Sequence, residues 1–355
     1  MASARRKVAL VFGGRSGEHE VSVRSAVSVA AALAQAHDVL PLFIDKQGRW
    51  LLQPGPAPEA AGGVPVFLAP DPSERGQLRR LDSAAHAASP DVYFPVLHGT
   101  NGEDGTIQGL FELAAVPYVG AGVAASAAGM DKELMKALFA HAGVAQGRYC
   151  VLRGRDAAAE TATLSELGLP LFVKPASLGS SVAVSKVKSA SALGPALDVA
   201  LEYDRKVLVE AAVEGRELEI SILGNDSPAA SRPGEVIPDR EFYDYDSKYS
   251  AESRTRLVIP AELPDSVVRG AQELGVRAFR AVDACGYARV DFFLERHTGR
   301  LLVNEINTIP GFTSISMFPK MWEAAGVSYA ELVARLVSLG LERQAQRARL
   351  RTDYT

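Results

Sequence analysis

Arg289-Val290-Asp291 and Asn304-Glu305-Ile306-Asn307 lie on either side of Arg296-His297-Thr298-Gly299, a turn-like segment. Asp291 and Glu305 each stand seven residues from Thr298, and Arg289 and Asn307 each stand nine. A hairpin folded about Thr298 therefore sets Asp291 opposite Glu305 and Arg289 opposite Asn307. Side chains alternate along strands, so all four fall on one face. The other face then carries Val290, Phe292, Leu294, Leu302 and Ile306, which read as core. Facing carboxylates with Cβ atoms ~5 Å apart repel unless positive charge lies between them. An oxygen-only set of Asp, Glu and Asn favours a hard cation, Mg²⁺ or Mn²⁺, over zinc. The plainer alternative is an exposed strand face whose charges are screened by water.

The chain's 355 residues are enough for two or three packed units. A net charge of −4 without a long basic run argues against a nucleic-acid partner. The basic start, Arg5-Arg6-Lys7, leads into an apolar run that stops at Gly13-Gly14-Arg15, too short for an export signal. No stretch approaches the ~18 apolar residues of a membrane span. Cys150 and Cys285 form no metal or redox motif, and the histidines lack zinc-like spacing. A cytoplasmic protein is expected.

The first ~45 residues predict strand (Lys7 to Phe12), glycine turn, helix (Val21 to Ala34) and strand (Val39 to Ile44). Residues 47–90, rich in Pro, Gly and Ala, predict a peripheral insertion with one short hairpin. A strand over Asp91–Leu97, a helix over Thr106–Ala114 and a strand over Val116–Val119 complete an open, mostly parallel sheet. Its ligand loops should sit at the carboxyl ends of the strands. A helix-rich stretch, Ala124 to His141, leads to strands at Arg148–Leu152, Leu171–Lys174, Val182–Ser185 and Lys206–Glu210, with helices between them. Then follow a strand at Arg216–Leu223, the charged and aromatic stretch 240–256, and a helix with Val267, Ala271, Leu274, Ala278 and Val282 on one face. The hairpin comes next, then a helix from Ser328 to Leu339 and a frayed polar tail.

Lys174 ends an apolar strand, and Ser177 to Val182 follows as a small-residue loop able to approach phosphate oxygens. The P-loop order is absent. Lys132 is a second candidate phosphate lysine. Val207-Leu208-Val209-Glu210 runs into a hinge, Ala211 to Glu217, whose backbone could pair with an adenine edge and whose acids could hold a ribose. Taken alone, the Lys174 loop reads equally well as an ordinary strand-end turn, and Lys132 and the hinge read better as a solvated helix start and a plain strand-turn-strand connection.

Taken together and in order, they resemble the ATP-grasp enzymes, and one family in particular: the D-alanine–D-alanine ligases. The motifs that carry the resemblance are Gly13 to Ser22 (GGRSGEHEVS), His98 to Gly105 (HGTNGEDG), Ser180-Ser181-Val182, Tyr243 to Tyr249 (YDYDSKY), Gly286 to Asp291 (GYARVD), and Asn304 to Thr308 with Pro310 to Thr313. They span nearly the whole chain. The resemblance implies an ATP-grasp fold of mixed α/β and α+β class with an N-terminal open parallel α/β (pre-ATP-grasp) domain. That domain would cover 1–123, with 47–90 as an insertion. A central subdomain would cover 124–217, and a C-terminal one 218–355 with a lid at 240–256.

By the same resemblance, ATP phosphorylates the carboxylate of a first D-alanine, and the amine of a second attacks the acyl phosphate. Asp291, Glu305 and Asn307 would hold two Mg²⁺ (or Mn²⁺) ions, and Lys132 and Lys174 would grip phosphates together with Ser180 and Lys248. Glu210 and the backbone of Ala212 and Val213 would meet the adenine, and Glu217 the ribose. Glu18 would fix the first D-alanine's ammonium in a set closed by Ser180 and Tyr249, with His98 nearby as a base or a positioning group. Arg289 and the Gly311 N–H would form an oxyanion hole, and Ser316 and Lys248 would take the second carboxylate. A homodimer and D-cycloserine-type inhibition also follow from the family. Ala183 and Ala211 depart from its usual residues without removing a reactive group. Rival expectations are D-alanine–D-lactate or D-alanine–D-serine ligation, or a non-catalytic nucleotide-binding regulator. The presence of Tyr249 disfavours D-lactate, and retention of every metal ligand and of Arg289 disfavours the regulator.

Overall fold

The structure, a computed structural model, describes residues 5–238, 255–313 and 315–351. Tyr249, Lys248 and nearly all of the expected lid lie outside them.

Strand β1 (Lys7–Gly13) is buried over all but its first residue, as a strand covered on both faces must be, and so it reads as a continuous apolar run. It pairs in parallel with β2 (Asp38–Ile44) and β7 (Val92–Pro95). Helix α1 (His19–Leu33) covers one face. Within 47–90 the chain builds more than one hairpin. Strands β3 (Trp50–Leu52), β4 (Val64–Leu68), β5 (Leu78–Arg80) and β6 (His86–Ala88) form an antiparallel meander that continues the sheet outward from β2, giving the order β6-β5-β4-β3-β2-β1-β7. These strands are short and half-buried, so alternation over three residues leaves little periodic signal. Helix α2 (Thr106–Leu113) follows, and the strand expected at Val116–Val119 is reduced to a single parallel bridge, Tyr93 to Tyr118.

Helices α3 (Val123–Met130) and α4 (Lys132–His141) are separated at Asp131. This residue leaves helical geometry, and its carboxylate caps α4 by accepting from the Glu133 and Leu134 N–H groups. A four-stranded antiparallel sheet follows, in the order β10-β9-β11-β8, from β8 (Tyr149–Leu152), β9 (Leu171–Pro175), β10 (Ser185–Val187) and β11 (Val207–Ala211). It is backed by α5 (Ala157–Leu167) and α6 (Leu193–Leu201). No strand forms over 182–184, because Ser180, Ser181 and Ala183 all take left-handed φ (51°, 59° and 55°) that break extended pairing.

A third sheet has the order β15-β14-β12-β16-β17, with β13 (Ala229–Ala230) added beside β12. Its strands are β12 (Gly215–Leu223), β14 (Gly234–Ile237), β15 (Arg256–Val258), β16 (Tyr287–Glu295) and β17 (Leu301–Asn307). Leu218, Ile220, Ile222 and Val290 pack against Ala271, Ala278 and Phe279 of α7 (Asp265–Ala281). The chain closes with α8 (Met317–Ala324) and α9 (Tyr329–Arg347). The tail expected to fray is helical through Arg347, since Arg343 lies 3.8 Å over the Tyr118 ring and Arg347 pairs with Glu112. One core, containing Phe12, Val29, Tyr287, Phe312 and Leu336, joins the first sheet to the third. The loops at the ends of β1, β7 and β17 are thereby held in fixed relation. Among the described residues no single helix is long and apolar enough to cross a membrane.

Candidate active site

The hairpin register matches the sequence expectation at its functional end: Arg289 faces Asn307 and Asp291 faces Glu305. Nearer the turn the ladder shifts by one residue, with Phe292 opposite Val303, so Asn304 is the extra residue of a bulge. The bulge reverses the expected parity of β17. Val303 and Leu301 take the core side, whereas Leu302, expected there, pairs with Phe293 on the site face. Beyond β16, Glu219 of β12 stands opposite Asp291. The face thus gathers Glu219, Asp291 and Glu305, and two cations lie among them. Arg289 binds Asp291 in a two-pronged contact (Nε–Oδ1 and Nη2–Oδ2, both 2.7 Å) and reaches Glu219 at 3.0 Å. Lys132 Nζ lies 3.6 Å from Glu305 and donates to the Leu178 carbonyl at 2.7 Å. Burial works against the Arg289 charge, but Asp291 and then Glu219 hold it protonated well above the usual guanidinium range. Glu219 escaped the sequence reading, although alternation on β12 puts it beside Glu217 on this face.

Two carboxylates and an amide suit magnesium, which keeps several waters and needs few protein ligands when phosphate oxygens complete its shell. Asn307 already donates to Asp291 (Nδ2–Oδ2, 3.1 Å), which fixes the amide beside the carboxylate. The donor set fits a hard divalent ion.

Toward β9, Lys174 Nζ meets Glu210 Oε2 at 2.5 Å, and Lys136 Nζ meets Oε1 at 2.9 Å. Burial raises the Glu210 pKa, but Lys174 and Lys136 outweigh it and bring the carboxyl down to about 2. The hinge begins as expected. Ala212 gives its N–H to the Pro170 carbonyl at 3.0 Å, so that donor of the expected hinge is already engaged. Glu217 lies on β12, half-buried. Each expected phosphate lysine therefore rests on a carboxylate: Lys132 near Glu305 and Lys174 on Glu210.

Across the cleft, Ser180 Oγ donates to Glu18 Oε1, bringing the loop after β9 onto the loop after β1. A Cβ on Gly99, whose φ is +76°, would sit 2.9 Å from Glu18 Oε2, so only glycine fits there. His98 is buried. Its Nδ1 lies 3.0 Å from the Ile309 carbonyl, so that nitrogen carries the proton, and Nε2 accepts from Ser25 Oγ at 3.1 Å. Burial lowers its pKa, with Glu18 opposing. Both ring nitrogens are therefore engaged within the protein. Ser25 also accepts the Phe312 N–H at 3.5 Å, so His98 and Ser25 together place the segment carrying Gly311.

Glu103, in the same loop as His98, received no role from sequence. Burial and the Glu18 charge push it up to about 8, while it accepts the Gly99 N–H at 2.6 Å. At Gly311 an added Cβ would lie 3.0 Å from Ser316 Oγ. Ser316 stands at the N-cap position of α8, and its Oγ turns back to accept the Thr313 N–H at 3.0 Å and to contact Thr313 Oγ1 at 2.7 Å. A substrate carboxylate is favoured at such a helix start. The structure thus brings Glu18, His98, Ser180, Arg289, Asp291, Glu305, Asn307, Gly311 and Ser316 around one cleft between the three sheets.

Comparison with known proteins gives the same answer. Residues 7–121 match the family described as D-ala D-ala ligase N-terminus, and residues 138–338 match D-ala D-ala ligase C-terminus. The chain is 49% identical to the D-alanine--D-alanine ligase of Heliobacterium modesticaldum over 98% of each chain. Among solved structures it is similar to the D-alanine-D-alanine ligase from Coxiella burnetii (TM-score 0.85, 36% identity, 97% of each chain). It is also similar to the VanG D-Ala:D-Ser ligase from Enterococcus faecalis (TM-score 0.83, 33% identity, covering 95% of this chain and 99% of that one). The chain belongs to the D-alanine–D-alanine ligase family.

Proposed function

We propose that the protein joins two D-alanine molecules into D-alanyl-D-alanine with ATP as co-substrate, supplying peptidoglycan synthesis. The observation that supports this most is the convergence of Glu18, Arg289 and the Asp291–Glu305–Asn307 face on one cleft. An amine anchor, an oxyanion donor and a phosphate-facing acid set there lie within one site.

In this account Glu18 holds the ammonium of the first D-alanine, oriented by Ser180. Lys132 and Lys174 turn from their carboxylates to the nucleotide phosphates, and Glu210 with the Ala212–Val213 hinge places the base. Two Mg²⁺ ions held by Asp291, Glu305 and Asn307 would supply charge neutralisation of the β and γ phosphates. Arg289 and the Gly311 N–H receive the negative charge that develops on the attacked carbonyl oxygen. Ser316 at the start of α8, with Lys248, holds the second carboxylate. Tyr249 seals the acyl phosphate from water and favours D-alanine as second substrate. The domain boundaries at 123 and 217, the cytoplasmic location, a homodimeric state and inhibition by D-cycloserine-type compounds belong to the same reading.

The test measures ADP, phosphate and dipeptide with ATP and D-alanine, then with D-lactate or D-serine added. Equal yields of the three with D-alanine alone support the proposal. Mixed products formed in preference to D-alanyl-D-alanine would reassign the second substrate, and no D-alanine-dependent ADP would leave only a nucleotide-binding module.

A further inference from the structure

Lys136 has no part in the chemistry described above, yet at 2% exposure it is the most buried lysine among the described residues. It projects from α4, one turn after Lys132, and ends 2.9 Å from Glu210 Oε1 and 5.2 Å from the centre of the Tyr149 ring. An ammonium at that depth is costly unless a charge or a ring face answers it. The other oxygen of Glu210 holds Lys174 at 2.5 Å. The carboxylate is thus clamped between two ammonium groups of different standing. Lys174 sits near the end of β9, beside the 176–184 loop; Lys136 projects from α4 and is the more buried of the two.

We propose that Lys136 is the fixed counter-charge of Glu210, a positioning residue that keeps the base-binding carboxylate ionised when nucleotide draws Lys174 away. This rests on the nucleotide site proposed above and adds an exchange to it. Without nucleotide, Glu210 is shared by Lys174 and Lys136. With nucleotide, Lys174 moves to phosphate oxygens and Lys136 alone remains. Among the described residues, the charged or titratable groups facing Glu210 are Lys136 from α4, Lys174 from β9 and Tyr149 from β8. If Lys136 is removed, no cation among the described residues is left on Glu210 once Lys174 departs. The buried carboxylate must then take up a proton for nucleotide to bind, and binding becomes linked to pH.

The experiment is calorimetric titration of ATP, without D-alanine, into the full-length parent, K136M and K136M/E210Q between pH 7 and 9, each in two buffers of different ionisation enthalpy. The parent should show no proton uptake assignable to Glu210. K136M should bind more weakly as pH rises, by up to about tenfold per pH unit, and take up to one proton more than the parent. K136M/E210Q should lose that dependence, because the amide needs no counter-charge. A K136M that binds like the parent, or is weakened by one constant factor at every pH, overturns the proposal. If K136M fails to fold, a folded double variant with pH-independent binding supports it, and a double variant that also fails makes Lys136 a packing residue and overturns it. K174M and E210Q, titrated alongside, separate the two levels of the argument. If both bind ATP as the parent does, it is the nucleotide site that is misplaced.

Discussion

Arg289→Lys retains one positive charge and removes the planar fork. In the structure the guanidinium spends two nitrogens on Asp291, both at 2.7 Å, and Nε also lies 3.0 Å from Glu219. A lysine keeps the Coulombic attraction but can reproduce only one of the paired contacts. Losing one charge-assisted hydrogen bond costs about 1.5–3 kcal/mol of stability, so the variant should fold and unfold at lower urea. Turnover should suffer more. The fork's remaining edge is the proposed oxyanion donor, and deleting one such donor lowers kcat by about 10²–10³, or about 2.7–4 kcal/mol. ATP is held by other residues, so its KM should stay within about threefold of the parent's. The assay is steady-state ADP release with D-alanine saturating and ATP varied, paired with chromatography of the dipeptide. A collapse in ATP affinity with kcat intact would place Arg289 in the nucleotide site, and an unchanged kcat would remove it from the oxyanion hole.

Glu305→Gln should nearly abolish turnover and raise the Mg²⁺ concentration needed for what remains. The fold should hold, because relief from Asp291 offsets the loss of the 3.6 Å contact with Lys132; normal turnover at limiting Mg²⁺ would refute the metal assignment. His98 is held below its ordinary 6.5 by burial, so as pH falls the unfolded chain binds the proton first. Its contribution to stability is complete above about 6.5 and is lost below it. Urea midpoints from pH 8 to 5 should therefore fall less steeply in H98N, with His37, also lowered by burial, keeping part of the slope; an unchanged slope would mean that His98 titrates freely. Ala183→Gly should relieve the left-handed φ of +55°, a strain of about 1–2 kcal/mol, and reduce protease cleavage in the 176–184 loop. Faster cleavage would mean the loop depends on the alanine side chain rather than resisting its backbone.

The facing of Asp291 with Glu305 was legible in the sequence because only parity and turn position were needed, and both are local. The bulge at Asn304 was not. It exchanges Leu302 for Val303 on the core side, and three consecutive apolar residues, Leu301, Leu302 and Val303, satisfy either register. The parallel strands and α1 were readable from long apolar runs, whereas the meander over 50–88 came from strands of three to five residues, too short to show a period. Ala183, set between Val182 and Val184, looked strand-like by composition, yet it takes a φ of +55° next to a loop whose Ser180 reaches Glu18 across the cleft. Lys136, Glu103 and Glu219 were overlooked for a related reason. A buried charge is recognised by its partner, and those partners, Glu210, Glu18 and Arg289, are distant in the chain.

The central claim is that the first D-alanine passes through an acyl phosphate in this cleft. It is tested most directly by supplying D-alanine labelled with ¹⁸O in its carboxylate and analysing the released phosphate by mass. The carboxylate oxygen that attacks the γ-phosphorus stays with phosphorus when the second amine displaces it. The account therefore predicts one ¹⁸O in the inorganic phosphate for each dipeptide formed, and none in ADP. Phosphate free of label, or label appearing in a nucleotide, would contradict it.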